Sequence, residues 1–367
     1  MRILRLVCRI ITGLVFIFSG TVKAIDPLGS TYKFQDYFQA FNLDFLKCLS
    51  LPLAIFLSTT EFIAGFSVLT GIRQKTGIRV IMILMIILTP LTLVLAITNP
   101  VSDCGCFGDA IHLTNWQTFG KNVILLIPVL LLFLSPDFPP ESGKGKRDLA
   151  VLALLTFLFL TFNFYNLRYL PVIDFLPYKT GANIADKMAI PANAPVDEYI
   201  TTFIYEKDGI KKEFTIENYP AGDTAWKFAE QKSVLVKKGF VPPIHDFSIA
   251  SMNNEDLTSE ILNNQGYTLL MISRRLKEAK TDRLSRGFEL GYYCLANNIG
   301  FYILTASSID EIRHFDNMLP FCHTDETTLK TIIRSNPGYV LLKDGTIAGK
   351  WSWANLPAKE MLISINR

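Results

Sequence analysis

Apolar and polar positions divide this chain near residue 170. Five apolar runs precede that point, at about residues 8–24, 51–71, 78–98, 122–136 and 149–167. A helix that crosses a bilayer needs roughly 20 apolar residues, so the pattern predicts five spans, the fourth run being the shortest. The first run follows Arg2, Arg5 and Arg9, as the core of a signal peptide would. Its segment from Phe18 to Ala24 is a poor cleavage site, and four further runs follow, so it is read as a span.

After Pro171 the periodicity shortens. Residues 172–195 carry several prolines and no apolar period, the mark of a linker. Tyr199–Glu206 and Lys211–Ile216 flank Lys207-Asp208-Gly209-Ile210, a strong hairpin signal. A polar, helix-like piece is expected near residues 223–232. From Pro243 onward strands and helices alternate: β runs at 267–272 and 300–305, helices at 281–297, 310–317 and 326–335, then a hairpin of 338–343 and 346–351 turning at Asp344-Gly345. Such alternation predicts a small α/β sheet. The expected domains are a bundle at 1–136, a cytoplasmic loop with the fifth helix at 137–170, a linker and small β-hairpin region at 171–239, and a soluble α/β domain at 240–367.

Composition agrees with a membrane assignment. Of 367 residues, 50% are hydrophobic and only 19% charged, and mean hydropathy is positive. A net charge of +3 argues against nucleic acid as a partner; the bilayer is the expected one. Orientation follows from short basic loops. Arg2, Arg5 and Arg9, then Arg73, Lys75 and Arg79, then Lys144, Lys146 and Arg147 should share the cytoplasmic side. The N-terminus is then cytoplasmic, and the soluble domain faces outward. For a bacterial inner membrane that is the periplasm, where disulfides persist.

Six cysteines are too few for a disulfide-stapled scaffold in a chain of this length. Two of them, Cys104 and Cys106, stand one residue apart in a polar turn between spans. A disulfide across so small a ring would be strained and labile, which suits a thiol–disulfide relay to a periplasmic protein partner. Metal binding with His112 or Asp109 is a second reading, although metal pairs usually have two to four intervening residues. A braced tight turn enabled by Gly105 and Gly108 is the third. Cys48, at the start of the second span, is either a resolving thiol or inert. Cys8, Cys294 and Cys322 read as packed residues. Glu61 falls midway along the second span, where a carboxylate is costly. It either pairs with Lys23 or handles a proton. Gly13, Gly20, Ala64 and Gly65 suit close helix contacts, and Pro90 and Pro128 should kink their helices. His245 reads as structural. Arg274 and Arg275 either receive an anionic group at a helix start or are simply solvated.

The segment Phe18-Ser19-Gly20-Thr21-Val22-Lys23, the mid-helix Glu61, and Cys104-Gly105-Cys106-Phe107-Gly108 followed by Trp116 and Asn122 resemble DoxX-like membrane proteins. The closer resemblance is to the methylamine-utilisation MauE branch, over about residues 1–135. It implies a redox-associated bundle of four DoxX-like helices, linked in the MauE case to maturation of a disulfide-rich periplasmic subunit. Nothing else in the chain points to methylamine. Residues 240–367 resemble a TlpA-type thioredoxin-like domain through His245-Asp246-Phe247-Ser248-Ile249 and Asn336-Pro337-Gly338-Tyr339. That resemblance implies a cis peptide before Pro337, beside the family's active site. The chain departs from the family where its Cys-x-x-Cys should stand, since Ser273-Arg274-Arg275-Leu276 occupies that place. Without thiols there, this domain is expected to dock partners.

The expected fold is therefore a membrane all-α bundle with a fifth linking helix, followed by a soluble α/β thioredoxin-like domain. The expected activity is oxidoreductase-like thiol–disulfide exchange or protein maturation. The alternatives are a non-enzymatic scaffold or assembly factor and a quinone-linked or small-molecule carrier. No cofactor is identified by motif; a quinone is the one candidate.

Overall fold

The computed structural model describes residues 2–101, 103–135, 145–207, 209–218, 222, 225–315 and 318–366. The described chain divides into two compact units, residues 1–182 with 248–367, and residues 183–247. Lys144 and the rest of the expected loop at 136–144 lie outside the described residues.

Among the described residues of the first unit, five helices are long and apolar enough to cross a membrane: α1 (Arg2–Ile25), α3 (Ser50–Thr70, continuing a 3-10 turn at Asp44–Leu49), α4 (Gln74–Thr98), α5 (Asn115–Phe133) and α6 (Gly145–Arg168). α5 begins seven residues before the apolar run at 122. Thr114 accepts from Gln117 N, and the Gln117 side chain accepts from Thr114 N, a capping box that fixes the earlier start. A further helix, α2 (Pro27–Ala40), stands where a loop was expected. Asp26 caps it by accepting from Gly29 N at 2.8 Å, and Pro27 occupies its first turn. That start signal is legible in the sequence; at 14 residues the helix is too short to read as a span.

Small residues set the α1–α3 distance. A Cβ on Gly20 would lie 2.6 Å from Ser58 O, one on Gly13 2.7 Å from Leu69 Cβ, and one on Gly65 2.8 Å from Ile17 N. The two backbones meet because these positions carry no side chain. α4 and α5 complete the core with Ile81, Met85, Leu125 and Val129.

The α/β part of this unit comprises β4 (Ala250–Ser251), β5 (Tyr267–Ile272), β6 (Gly300–Thr305), β7 (Phe321–His323), β8 (Gly338–Lys343) and β9 (Thr346–Ser352), in the order β4-β7-β6-β5-β8-β9. β5 pairs in parallel with β6, and β6 with β7; β8 is antiparallel to both β5 and β9. Around the sheet stand α8 (Thr258–Leu262), α9 (Thr281–Ala296), α10 (Ile309–Ile312), α11 (Glu326–Ile332) and α12 (Lys359–Asn366). Leu269, Met271, Phe301, Ile303, Tyr339 and Leu341 form the core. The β8–β9 turn places Asp344 and Gly345 at φ 48° and 68°, the two positive values a two-residue hairpin needs. The helix expected at 310–317 is only the single turn of α10, and its end at Asn317 lies outside the described residues. Cys322 lies in β7, a three-residue strand too short to show a period.

The second unit holds a short helix, α7 (Ile184–Met188), and a sheet of β1 (Glu198–Lys207), β2 (Ile210–Thr215) and β3 (Lys227–Lys237), ordered β2-β1-β3 and antiparallel throughout. The β1–β2 hairpin is as the sequence predicts; Asp208 of its turn lies outside the described residues. The helix expected near 223–232 is instead strand β3, paired with β1 from Glu206–Lys227 to Glu198–Lys237. Pairing with a neighbouring strand overrode its polar local pattern, the usual way tertiary context defeats propensity.

Candidate functional site

The loop between α4 and α5 carries Cys104, Gly105 and Cys106, and buried polar groups hold it from several sides. Gly105 and Gly108 take φ of +62° and +53°, a conformation few other residues adopt. A Cβ on Gly105 would also lie 2.9 Å from Lys33 Cγ. Asp103 accepts from Gly105 N at 2.9 Å and from Lys33 Nζ at 2.9 Å. The Tyr37 hydroxyl of α2 donates to Cys104 O. Phe107 packs edge-on against Phe18 at 5.4 Å, with Lys121 Nζ 4.3 Å from its ring centre.

Beneath the loop sits a buried ion pair. The glycine-mediated approach of α1 to α3 brings Lys23 Nζ to 2.7 Å from Glu61 Oε2, and both side chains are buried. The ammonium also donates to Ser19 Oγ at 2.7 Å and to Cys106 O at 2.6 Å. All three of its donors are therefore used. Ser19 Oγ in turn donates to Cys106 O at 3.0 Å. One lysine thus ties the intramembrane carboxylate to the backbone between the thiols and the rest of the loop.

The two thiols are free and 3.2 Å apart, Sγ to Sγ. Cys104 is buried and Cys106 half-buried. Their first proton leaves from Cys106, whose thiol is drawn down to about 6 by the hydrogen bond from Cys104 and by the charges of Lys121 and Lys23, against the cost of burial. Cys104 is pushed far up by the same hydrogen bond and by burial. The two thiols titrate as a coupled pair, Cys106 losing its proton more readily than Cys104. A cavity of about 70 Å³ adjoins it, bounded by Lys23, Tyr37, Glu61, Cys104 and Cys106. A second space of about 30 Å³ is lined by Lys23, Glu61, Cys106, Phe107, Lys121 and Asn122.

Arg334, in the α11–β8 loop, reaches this assembly from the α/β part. It is 7% exposed, and donates from Nε to Asp26 Oδ2 at 2.7 Å and from Nη2 to Asp109 Oδ2 at 2.6 Å. It joins the cap of α2 to the end of the thiol loop. Sequence reasoning missed it because nothing local distinguishes this arginine; its partners lie 308 and 225 residues away.

The remaining candidates lie elsewhere. Cys48 is exposed and directs its Sγ to Phe45 O within its own turn; it is not among the residues lining the two cavities. Cys294 and Cys322 are buried, their thiols pushed up to about 12 and 11 by burial. Cys8 is buried in α1. His112 is exposed, Asp109 is engaged by Arg334, and no group of three metal-ligating side chains occurs among the described residues. The Asn336–Pro337 peptide is cis. Asn336 Oδ1 accepts from Ser273 Oγ at 3.0 Å, so this loop abuts the segment after β5. Arg274 and Arg275 are not free in solvent: Arg274 donates to Tyr32 OH at 2.9 Å, and Arg275 to Glu326 at 2.9 and 2.6 Å. Nor do they open a helix, since a 3-10 turn follows and α9 starts only at Thr281.

Five spanning-length helices joined to an α/β sheet define a multi-span membrane protein with a sheet-containing domain. Residues 1–135 match the family model of methylamine utilisation protein MauE, a stretch that takes in α1–α5 and the thiol loop. Residues 199–238 match a domain of unknown function, DUF8463, which spans β1–β3. No curated protein and no solved structure matches the chain.

Proposed function

We propose that this protein exchanges disulfides with proteins on the outer face of a bacterial inner membrane, through Cys104 and Cys106. The observation that carries the reading is the thiol pair itself, Sγ to Sγ 3.2 Å, with Lys121 and Lys23 among the residues around Cys106. The more accessible Cys106, as thiolate, attacks one sulfur of a partner disulfide and releases one partner thiol. Cys104 then gives up its proton and attacks Cys106 Sγ, forming the Cys104–Cys106 disulfide and freeing the partner's second thiol. The exchange is balanced and runs equally in reverse, where the oxidised pair would make a disulfide in a maturing partner. In that direction a bilayer quinone is the proposed oxidant: it would take two electrons and two protons from the dithiol and leave as quinol. Glu61, joined to the loop through Lys23, is the proposed proton-handling group.

Several features support the orientation and the domain reading. Arg73 donates to Gly145 O at 3.3 Å, and Gly71 lies near Arg9, so the basic connections gather at one end of the bundle. That end is the proposed cytoplasmic side. The strand order β7-β6-β5-β8-β9 and the α9 crossover between β5 and β6 favour a thioredoxin-like domain; the match over residues 1–135 favours a DoxX-like bundle. Lacking Cys-x-x-Cys, that domain would recognise partners. A second reading, a scaffold whose cysteines only brace the loop, draws on the density of bonds to Cys104 O, Cys106 O and Asp109.

Substituting both cysteines by serine separates the two readings. Redox exchange predicts altered thiol states in periplasmic proteins, and partner mixed disulfides trapped through Cys106 in a Cys104→Ser variant. Unchanged partner thiols, no trapped complex and lowered stability would leave only the scaffold.

A further inference from the structure

A larger cavity lies apart from the thiols. It measures about 440 Å³ and opens where α2, the first turn of α3 and the last turn of α6 face the carboxyl end of β5 and the α11–β8 loop. This is within the 300–1,000 Å³ usual for a small-ligand site, and at the strand end where open α/β sheets most often bind ligands. Its charge is lopsided. Arg274, Arg283, Lys330 and Arg334 line it, against the single carboxylate of Glu278.

The cations are not equally committed. Arg334 is held by Asp26 and Asp109. Lys330 shares Glu326 with Arg275. Arg274 bonds Tyr32 and Glu278, and its Nε is buried without a hydrogen-bond partner. Arg283 makes no ion pair among the described residues; its guanidinium lies 3.4 Å from the centre of the Trp353 ring, which Arg168 approaches at 5.6 Å from its own side chain. A buried guanidinium N–H without an acceptor is costly, and stacked arginines present their planar donors best to an oxyanion. Part of the apolar lining, Leu51 and Leu167, belongs to the ends of two spanning-length helices, which sets that wall of the cavity at the depth of the bilayer surface.

We propose that this cavity binds a phosphate-bearing anion, with Arg283 supplying the unpaired charge, Lys330, which shares its one carboxylate with Arg275, a second cation, and Arg274 a further guanidinium in the lining, between the aromatic walls of Tyr32 and Trp353. At that depth the expected source is the headgroup of an anionic phospholipid; a soluble phosphate ester is the other source of the same chemistry. The inference is independent of thiol exchange.

The test uses the full chain in a neutral detergent, titrated with short-chain phosphatidylglycerol, short-chain phosphatidylcholine and glycerol 3-phosphate. Saturable binding of phosphatidylglycerol, stronger than phosphatidylcholine and weakened at least about tenfold in the Arg283→Gln/Lys330→Gln variant, is expected for one lost bidentate contact and one lost charge. Glycerol 3-phosphate binding as tightly as the lipid, with the same loss in the variant, supports the site and assigns it to a soluble ester. Weak binding of glycerol 3-phosphate supports the lipid. Arg313→Gln, an exposed cation elsewhere, should leave affinity unchanged. If the double variant fails to fold, Arg283→Gln alone serves, since it strands no carboxylate. Undiminished binding in a folded variant, or no preference between the two lipids, would overturn the proposal.

Discussion

Replacing Lys23 by methionine tests how the bundle holds the thiol loop. The substitution preserves most of the side-chain volume but removes the charge and three hydrogen bonds, to Ser19 Oγ, Glu61 Oε2 and Cys106 O. Glu61 is left buried and unpaired, a situation that typically costs about 3–5 kcal/mol. The loss to Cys106 O is softened because Ser19 Oγ still donates there at 3.0 Å. In Lys23→Met/Glu61→Gln the stranded charge is gone, so the double variant should lose less than the two single losses combined, with a coupling of at least about 1 kcal/mol. Denaturant unfolding of the full chain in one fixed detergent, run as a double-mutant cycle, measures this. The single variant should also expose the loop, seen as faster alkylation of Cys104. Additive losses within about 0.5 kcal/mol, the usual behaviour of independent sites, would refute the ion pair as the anchor of the loop.

Further expectations follow from the same geometry. Alkylation of Cys106 should rise as pH increases through about 6, because the thiolate is the nucleophile and its population grows above that value. Cys104→Ala removes the hydrogen bond that draws this thiol down, so the midpoint should move upward. Arg334→Gln strands Asp26 and Asp109 and should destabilise the chain by about 3–5 kcal/mol, partly restored by adding Asp109→Asn; thermal melts of the three variants decide it. Gly20→Val forces a side chain into a position where even a Cβ would lie 2.6 Å from Ser58 O, and should cost at least the roughly 1–3 kcal/mol of an overpacked core, whereas Gly120→Ala, with nothing within 4 Å, should be tolerated.

Much of the architecture was legible because it rests on local patterns. The apolar runs marked the spans, and the β runs at 267–272, 300–305 and 338–343 coincide with β5, β6 and β8. Asp344-Gly345 marked a turn whose positive φ values only such residues accept. What escaped had no local signature or a contrary one. α2 announces its start, but its 14 residues mix apolar and polar positions and are too short for the span pattern. β3 is polar, and becomes a strand because β1 offers it an edge. The thiol loop was conspicuous from its spacing, but its supports were not. Lys23, Tyr37 and Arg334 come to it from α1, α2 and the α11–β8 loop, contacts that depend on how the chain packs. The arginines at 274 and 275 show the same limit, their partners being Tyr32 and Glu326.

Cys104 and Cys106 are proposed to form a reversible dithiol on the outer face. Thiol counting with a membrane-impermeant alkylating reagent, on intact cells carrying a Cys48→Ser variant, tests it most directly. Two labels per chain are expected after a mild reductant and none after oxidation, both labels disappearing in the Cys104→Ser/Cys106→Ser variant. Labelling that ignores the redox treatment, or that appears only once the membrane is opened, would contradict it.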